Sequence, residues 1–363
     1  MVTCRNHGNF RTRLQQEWQQ ANGWQWWLLP LSWIYRLVIT LRKLAYRAGW
    51  LPSHRLAVPV IVIGNISVGG TGKTPLTIWL ARQLTRRGIR TGIILRGYGS
   101  QQTGPRPVDA NSDPALTGDE AVLLARSTGV PVWCGRDRVA AGRAMLAQVP
   151  DLQLILCDDG LQHLALARDR EIIVIDGERG FGNGRLLPAG PLREPLSRLA
   201  SADAIVINLP AQQPGKPKSV SRVDILRRLP AQLSALLTGL QPPIWQMTLT
   251  PGLLRNLKQP DRQADSAHFR GQVVHAVAGI GNPERFFRQM ETAGLSVERH
   301  PFPDHHPYQA QELDFAGNII MTEKDAVKCT HFATEHMWAW PVDAEADECL
   351  VDSLLTDTGV RHG

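Results

Sequence analysis

"VIVIGNISVGGTGKTPLTIWLARQL", residues 60–84, passes from a β-branched apolar run through a glycine-rich turn into a helical pattern. Val58 to Ile63 reads as a buried parallel strand and Thr74 to Leu84 as the helix after it, with Pro75 tolerated in the first turn. Between them lie Gly69, Gly70, Thr71, Gly72, Lys73 and Thr74. A loop of this kind lets backbone N–H groups converge on phosphate oxygens at a helix N-terminus, while Lys73 reaches the β- and γ-phosphates and Thr74 ligates magnesium. The spacing departs from G-x-x-x-x-G-K-[ST] at one point, because Ser67 stands five residues before Gly72. Gly69 and Gly70 are expected to supply the flexibility instead. Strand before and helix after are the context such a loop requires, so the stretch predicts a nucleoside triphosphate site.

A magnesium partner is expected at the end of another apolar strand. "LQLILCDDG", residues 152–160, supplies it with Asp158 and Asp159, since paired carboxylates at the C-terminal edge of a parallel sheet can hold the ion directly or through water. Further apolar runs at 92–95, 172–175 and 204–207 alternate with helical segments, which predicts an α/β fold of the P-loop NTPase type: a mostly parallel sheet covered on both faces. Residues 210–222, "PAQQPGKPKSVSR", form a polar, proline-bearing break. A smaller α/β lobe is expected beyond it, with "VVHAVAGIGNPERFF" as its clearest strand-turn-helix. The division is read as 1–50, 51–215 and 216–363, with a cleft between the two lobes.

The composition, 43% hydrophobic and 20% charged, is that of a folded core and excludes a disordered chain. Five scattered cysteines without a C-x-x-C spacing suggest neither a disulfide framework nor a cysteine zinc site. The first fifty residues hold seven Lys/Arg against Glu17 alone, and so carry +6 of the net +7. The remainder is nearly neutral, which argues against a nucleic-acid surface. The same fifty residues hold six of the eleven tryptophans. Trp and cationic side chains together seek a membrane interface. A helix from Pro30 would set Arg36, Lys43 and Arg47 on one face and Ile34, Val38, Leu41 and Ala45 on the other. The apolar stretch from Trp24 to Tyr35 is short of the roughly 20 residues a span needs, so a helix lying in the interface is expected, the alternative being one packed on the protein's own core.

Phosphoryl transfer to an alcohol calls for a carboxylate or imidazole near the attacking hydroxyl and cations around the moving phosphate. Asp119 in "TGDE" is either such a base or a helix N-cap. Arg136 and Arg138 in "GRDR", and Arg193 with Glu194 in "PLREP", either neutralise phosphate or form surface ion pairs. "FPDHHPY" sets His305 and His306 side by side, a poor chelate but a source of one histidine acting with a distant carboxylate or left in solvent. "MTEKDAVK", residues 321–328, approaches a guanine-reading motif, yet Lys324 and Asp325 are adjacent where that motif separates them, which disfavours GTP.

Taken in order, "GNISVGGTGKTP", "RGYGS", "GDE", "CDDGLQH", "GRLLPAGPLREP", "FPDHHPY" and "MTEKDA" resemble the tetraacyldisaccharide 4′-kinase family of lipid A biosynthesis. The resemblance implies transfer of the γ-phosphate of ATP to the 4′-hydroxyl of a tetraacylated glucosamine disaccharide 1-phosphate. It implies Lys73 and Thr74 for ATP and Mg2+, Asp158 and Asp159 as magnesium-associated carboxylates, and Asp119 as base assisted by His305, with His306 the competing candidate. Glu120, Arg138, Gln162 and Arg193 would support phosphates and substrate. It also implies a peripheral or monotopic place on the cytoplasmic face of the inner membrane. The rival expectation is a membrane-associated ATPase switch that phosphorylates no metabolite.

Overall fold

Apolar strands carry the interior of this protein. The computed structural model describes Trp18 and residues 23–98, 104–210, 220–356 and 358–360. Its first strands are β1 Val60–Gly64, β2 Thr91–Leu95, β3 Arg106–Val108, β4 Val132–Cys134, β5 Leu154–Asp158, β6 Arg170–Asp176, β7 Ala204–Leu209 and β8 Ile244–Pro251. Then come β9 Leu254–Asn256, β10 Gln263–Ala264, β11 Val273–Ala278, β12 Ser296–Pro301, β13 Ile319–Thr322, β14 Met337–Trp340 and β15 Val342–Ala346. The larger sheet has the order β15-β8-β7-β6-β1-β5-β2-β4-β3, parallel from β8 to β4, with an antiparallel strand at each edge. The smaller runs β10-β9-β14-β13-β11-β12 and is parallel from β14 to β12.

Every residue of β1, β2, β5 and β7 is buried, as strands covered on both faces must be. The helices that bear on function are α1 Leu29–Arg47, α2 Lys73–Arg86, α3 Asp119–Thr128, α4 Arg138–Gln148, α5 Pro283–Thr292, α6 Glu323–Cys329 and α7 Cys349–Leu355. One face of the larger sheet packs on Leu76, Leu80 and Leu84 of α2, Val122 of α3 and Leu354 of α7; the other packs on Val139 and Met145 of α4. Each such side chain contributes about 1.5–3 kcal/mol by leaving water. In the smaller sheet Phe286, Phe287 and Met290 of α5 cover one face, with Ala326 and Cys329 of α6 on the other.

The strands depart from the expected lobe boundary at residue 215. β8 belongs to the larger sheet, and β15 returns to pair with it antiparallel, Val342 opposite Pro251. The smaller sheet is therefore an insertion, residues 254–340, entered and left through two neighbouring strands. The acidic stretch after His331 supplies β15 and α7, whose Leu350, Val351 and Leu354 are buried in the larger core. Most of the polar break at 210–222 lies outside the described residues, as do Arg5, Arg11, Arg13 and Glu17.

Helix α1 begins beside Pro30 as expected, but its orientation is inverted relative to a core helix. It docks by polar groups. Ser32 Oγ donates to Leu186 O at 2.9 Å, Tyr35 Oη to Arg193 O at 3.0 Å, and Lys43 pairs with Glu194. Lys43, which shares a face with Arg36 and Arg47, is thus turned toward the protein. Ile34, Val38 and Leu41 face outward as expected, joined by Trp33, Leu37 and Leu44, while Ala45 is half-buried. Among the described residues no helix is long and apolar enough to cross a membrane.

Candidate active site

The loop after β1 is held from several sides. Ser67 forms an antiparallel bridge with Leu192, and Val68 N donates to Pro191 O at 2.8 Å. Extended backbone there explains why serine serves where the usual spacing has glycine. The turn falls later, at Gly69 and Gly72, whose φ values are 106° and 97°. Gly72 also caps α2, and a Cβ there would lie 2.8 Å from both Asn208 Nδ2 and Met247 Cε, so no side chain fits. Asn208 Nδ2 donates to Thr71 O at 3.1 Å, and Arg179 Nη2 donates to Gly70 O. From the smaller lobe, Arg285 Nη2 donates to Asn208 Oδ1 at 3.1 Å, and Gly281 comes so close that a Cβ on it would be 2.9 Å from Gly70 N. Both lobes therefore meet over the phosphate loop.

β5 delivers Asp158 and Asp159 to the first turn of α2. Thr74 Oγ1 donates to Asp158 Oδ2 at 3.0 Å and Thr77 Oγ1 to Asp158 Oδ1 at 3.2 Å. Burial, reinforced by the charge of Glu120 and only partly offset by Lys73, pushes the Asp158 carboxyl up to about 7. Asp159 goes the other way. Burial would raise it, but Lys73, Arg193 and Arg138 outweigh that and hold it below the usual carboxylate range. Lys73 Nζ is 3.6 Å from Asp159 Oδ1, Arg193 Nη1 is 3.4 Å from both its carboxylate oxygens, and Arg138 Nη2 donates to its backbone oxygen at 3.2 Å. Of the sequence candidates, Arg138 and Arg193 thus converge on this pair. Gln162 does not: its Nε2 donates to Asn65 O at 3.1 Å and Glu194 Oε1 at 2.8 Å, tying the phosphate loop to the strap that receives α1.

Opposite the loop stands a second group drawn from both lobes. Gly118, not Asp119, is the N-cap of α3, and Asp119 in the first turn also accepts the Glu120 N–H on Oδ1 at 2.8 Å. Its buried carboxylate faces His305 Nδ1, at 3.1 Å from Oδ1 and 3.0 Å from Oδ2. His305 holds a left-handed backbone, φ 63°, with its N–H donating to Gly279 O at 3.3 Å and its ring 4.7 Å from that of Tyr98. His306 points elsewhere, to Glu312 at 3.0 Å. Burial would raise Asp119, but the hydrogen bond with His305 and the charges of Lys324, His305 and Lys328 bring it below the usual range. For His305 burial and the charge of Lys324 act downward, and the hydrogen bond to Asp119 together with the charges of Asp119 and Asp304 outweighs them, leaving the imidazole above its ordinary value.

Lys324, from the smaller lobe, completes this second group. Its Nζ is 3.0 Å from Glu120 Oε1, 3.2 Å from Asp304 Oδ1 and 3.4 Å from His305 Nε2. Sequence reading saw Lys324 only as an imperfect base-reading motif and did not single out Arg179, Asn208 or Arg285. Asn208 is the next-to-last residue of β7, at the same carboxyl edge as Asp158, and that placement was the available signal.

Comparison with known proteins follows the same pattern. A family model described as Tetraacyldisaccharide-1-P 4'-kinase matches residues 24–358. A tetraacyldisaccharide 4'-kinase of Methylobacillus flagellatus is 47% identical over 349 residues, covering 96% of this chain and 96% of that one. Its counterpart in Dechloromonas aromatica is 49% identical over 349 residues, covering 94% and 96%. A crystal structure of LpxK from Aquifex aeolicus in complex with ATP superposes with a TM-score of 0.71 at 28% identity, covering 92% of this chain and 98% of that one.

Proposed function

The chain belongs to the tetraacyldisaccharide-1-phosphate 4′-kinase family, and from that premise we propose how its residues divide the work. It is an ATP-dependent kinase of lipid A biosynthesis, transferring the γ-phosphate to the 4′-hydroxyl of the acylated disaccharide. The observation that carries the assignment of roles is the Asp119–His305 contact, made by residues of different lobes that close over one phosphate loop.

In this reading the amides of Gly69–Thr74 and Lys73 hold the ATP phosphates, and Asp159 keeps Lys73 and Arg193 aimed at them. Asp119 orients the 4′-hydroxyl and takes its proton, with His305 sharing the charge as the oxygen attacks in line. The oxygen donors of Thr74 and Asp158 fit Mg2+, which takes hard oxygen ligands. When bound there, the ion would neutralise charge on the β- and γ-phosphates. The direct test is transfer of labelled γ-phosphate to an acylated glucosamine disaccharide 1-phosphate in mixed micelles. Labelled lipid is the expected product; ATP hydrolysis with no labelled lipid would replace this reading with an ATPase switch.

A pH signature follows from Asp158. A cation competes with the proton for this carboxylate, so MgATP affinity should rise as pH climbs to about 7 and level off above it. Equilibrium binding across that range checks it, and Asp158→Asn should flatten the slope. A flat wild-type profile would remove Asp158 from the magnesium site.

We place the enzyme on the cytoplasmic face of the inner membrane through α1, whose outward apolar face suits acyl chains. At about 1.5–3 kcal/mol for each side chain, replacing Ile34, Val38 and Leu41 by Ser should weaken partition into anionic vesicles by at least about 10²-fold. Activity on detergent-dispersed substrate should change far less. Unaltered sedimentation with vesicles would rule this face out as the anchor.

A further inference from the structure

A second cluster of metal-binding groups stands apart from the phosphate site, in the smaller sheet. His275 lies on β11, and Glu298 and His300 on the edge strand β12. The parallel register sets His275 opposite Glu298 and Val277 opposite His300. Side chains two apart on a strand share a face, so all three project to one side. His275 Nδ1 is 3.0 Å from His300 Nε2 and 3.5 Å from Glu298 Oε2, and His300 Nε2 is 3.8 Å from Glu298 Oε1.

Two neighbours prepare the imidazoles. His275 Nε2 is 3.2 Å from Ala316 O, and because a carbonyl only accepts, that nitrogen carries the proton and Nδ1 presents its lone pair. Phe315 stacks on both rings, at 4.6 Å and 18° to His275 and 4.2 Å and 24° to His300, which fixes their planes. A tetrahedral ion with bonds of about 2.0–2.1 Å requires ligand atoms about 3.3 Å apart. The imidazole pair at 3.0 Å, and the contacts at 3.5 and 3.8 Å that each imidazole makes to a different oxygen of the Glu298 carboxylate, lie on either side of that value.

We propose that His275, Glu298 and His300 form a site for a borderline-soft divalent cation of the zinc class, with water completing the coordination. Two imidazole nitrogens and one carboxylate select such an ion over Mg2+, which takes oxygen ligands. The site has a mechanical consequence. β11 runs into Gly279, whose carbonyl accepts the His305 N–H, and β12 runs through Pro301 to His305 itself. An ion bridging the two strands clamps the segments that hold the histidine of the active site.

The test uses the untagged full-length chain without ATP or Mg2+, titrated with Zn2+ by calorimetry and with Co2+ by visible absorption. One ion per chain is expected, with the d–d bands of a four-coordinate nitrogen and oxygen site and a raised Tm. His300→Gln and Glu298→Gln should each weaken binding by about tenfold or more, whereas Asp158→Asn should not. Tm measured without metal establishes that each variant folds; should His300→Gln fail, Glu298→Gln decides, because its carboxylate is largely solvent-exposed. No saturable binding by the wild type, or binding that both variants keep, overturns the proposal and leaves the pair as a histidine–histidine hydrogen bond.

Discussion

Asp119→Ala is expected to lower kcat by about 10²–10⁴-fold, the range of a positioned general base, while leaving ATP affinity little changed. The separation of the two effects follows from geometry. In the proposed assignment ATP is held from β1, β5 and α2, whereas Asp119 opens α3 and reaches His305 across the lobe interface. Asp119→Asn keeps the shape and an oxygen for His305 but cannot take up the proton, so it should fall nearly as far. The pH profile gives an independent arm. If His305 must be neutral to share the proton, activity is lost as pH falls through its raised pKa, so the acid limb of kcat/KM should lie above the ordinary imidazole value of about 6.5. Lys324 pulls that pKa down, and Lys324→Met should therefore move the limb to still higher pH. Loss of ATP binding in Asp119→Ala would sink its assignment as the base.

What the sequence disclosed follows how local each feature is. The strand, loop and helix of residues 60–84 carry their own context, and Asp158 and Asp159 announce themselves at the end of an apolar run. His305 could not be told from His306, since adjacent residues differ only through backbone geometry. The left-handed φ at His305 is what sends one ring to Asp119 and the other to Glu312. The lobe boundary was hidden for a related reason. β8 and β15 lie at an edge, mix polar with apolar residues, and pair across some ninety residues of intervening chain, as Asp343 opposite Thr250 illustrates. Acids around "LVDSLL" likewise mask a helix whose leucines are buried. The His275, Glu298 and His300 cluster has no sequence signature either, because it exists only once β11 and β12 are in register.

Lys73→Ala should remove phosphoryl transfer by about 10²–10³-fold or more, the cost of deleting one electrostatic contact to developing charge in a closed site. Two losses combine. The phosphates lose the ammonium at the start of α2, and Asp159 loses one of the cations that hold it ionised, so an uncompensated carboxylate remains beside the incoming triphosphate. The defect should accordingly appear in KM for ATP as well as in kcat, unlike that of Asp119→Ala, because Lys73 meets the phosphates before the reaction as well as during it. Lys73→Arg keeps the charge but not the compact ammonium, in a position where Lys73 is already mostly enclosed, and should recover affinity better than rate. Single-turnover transfer of labelled γ-phosphate, read beside equilibrium ATP binding, separates the two quantities. If Lys73→Ala transferred phosphate at close to the wild-type rate, the glycine loop would be only a structural turn and the roles given to Thr74, Asp158 and Asp159 would fall with it.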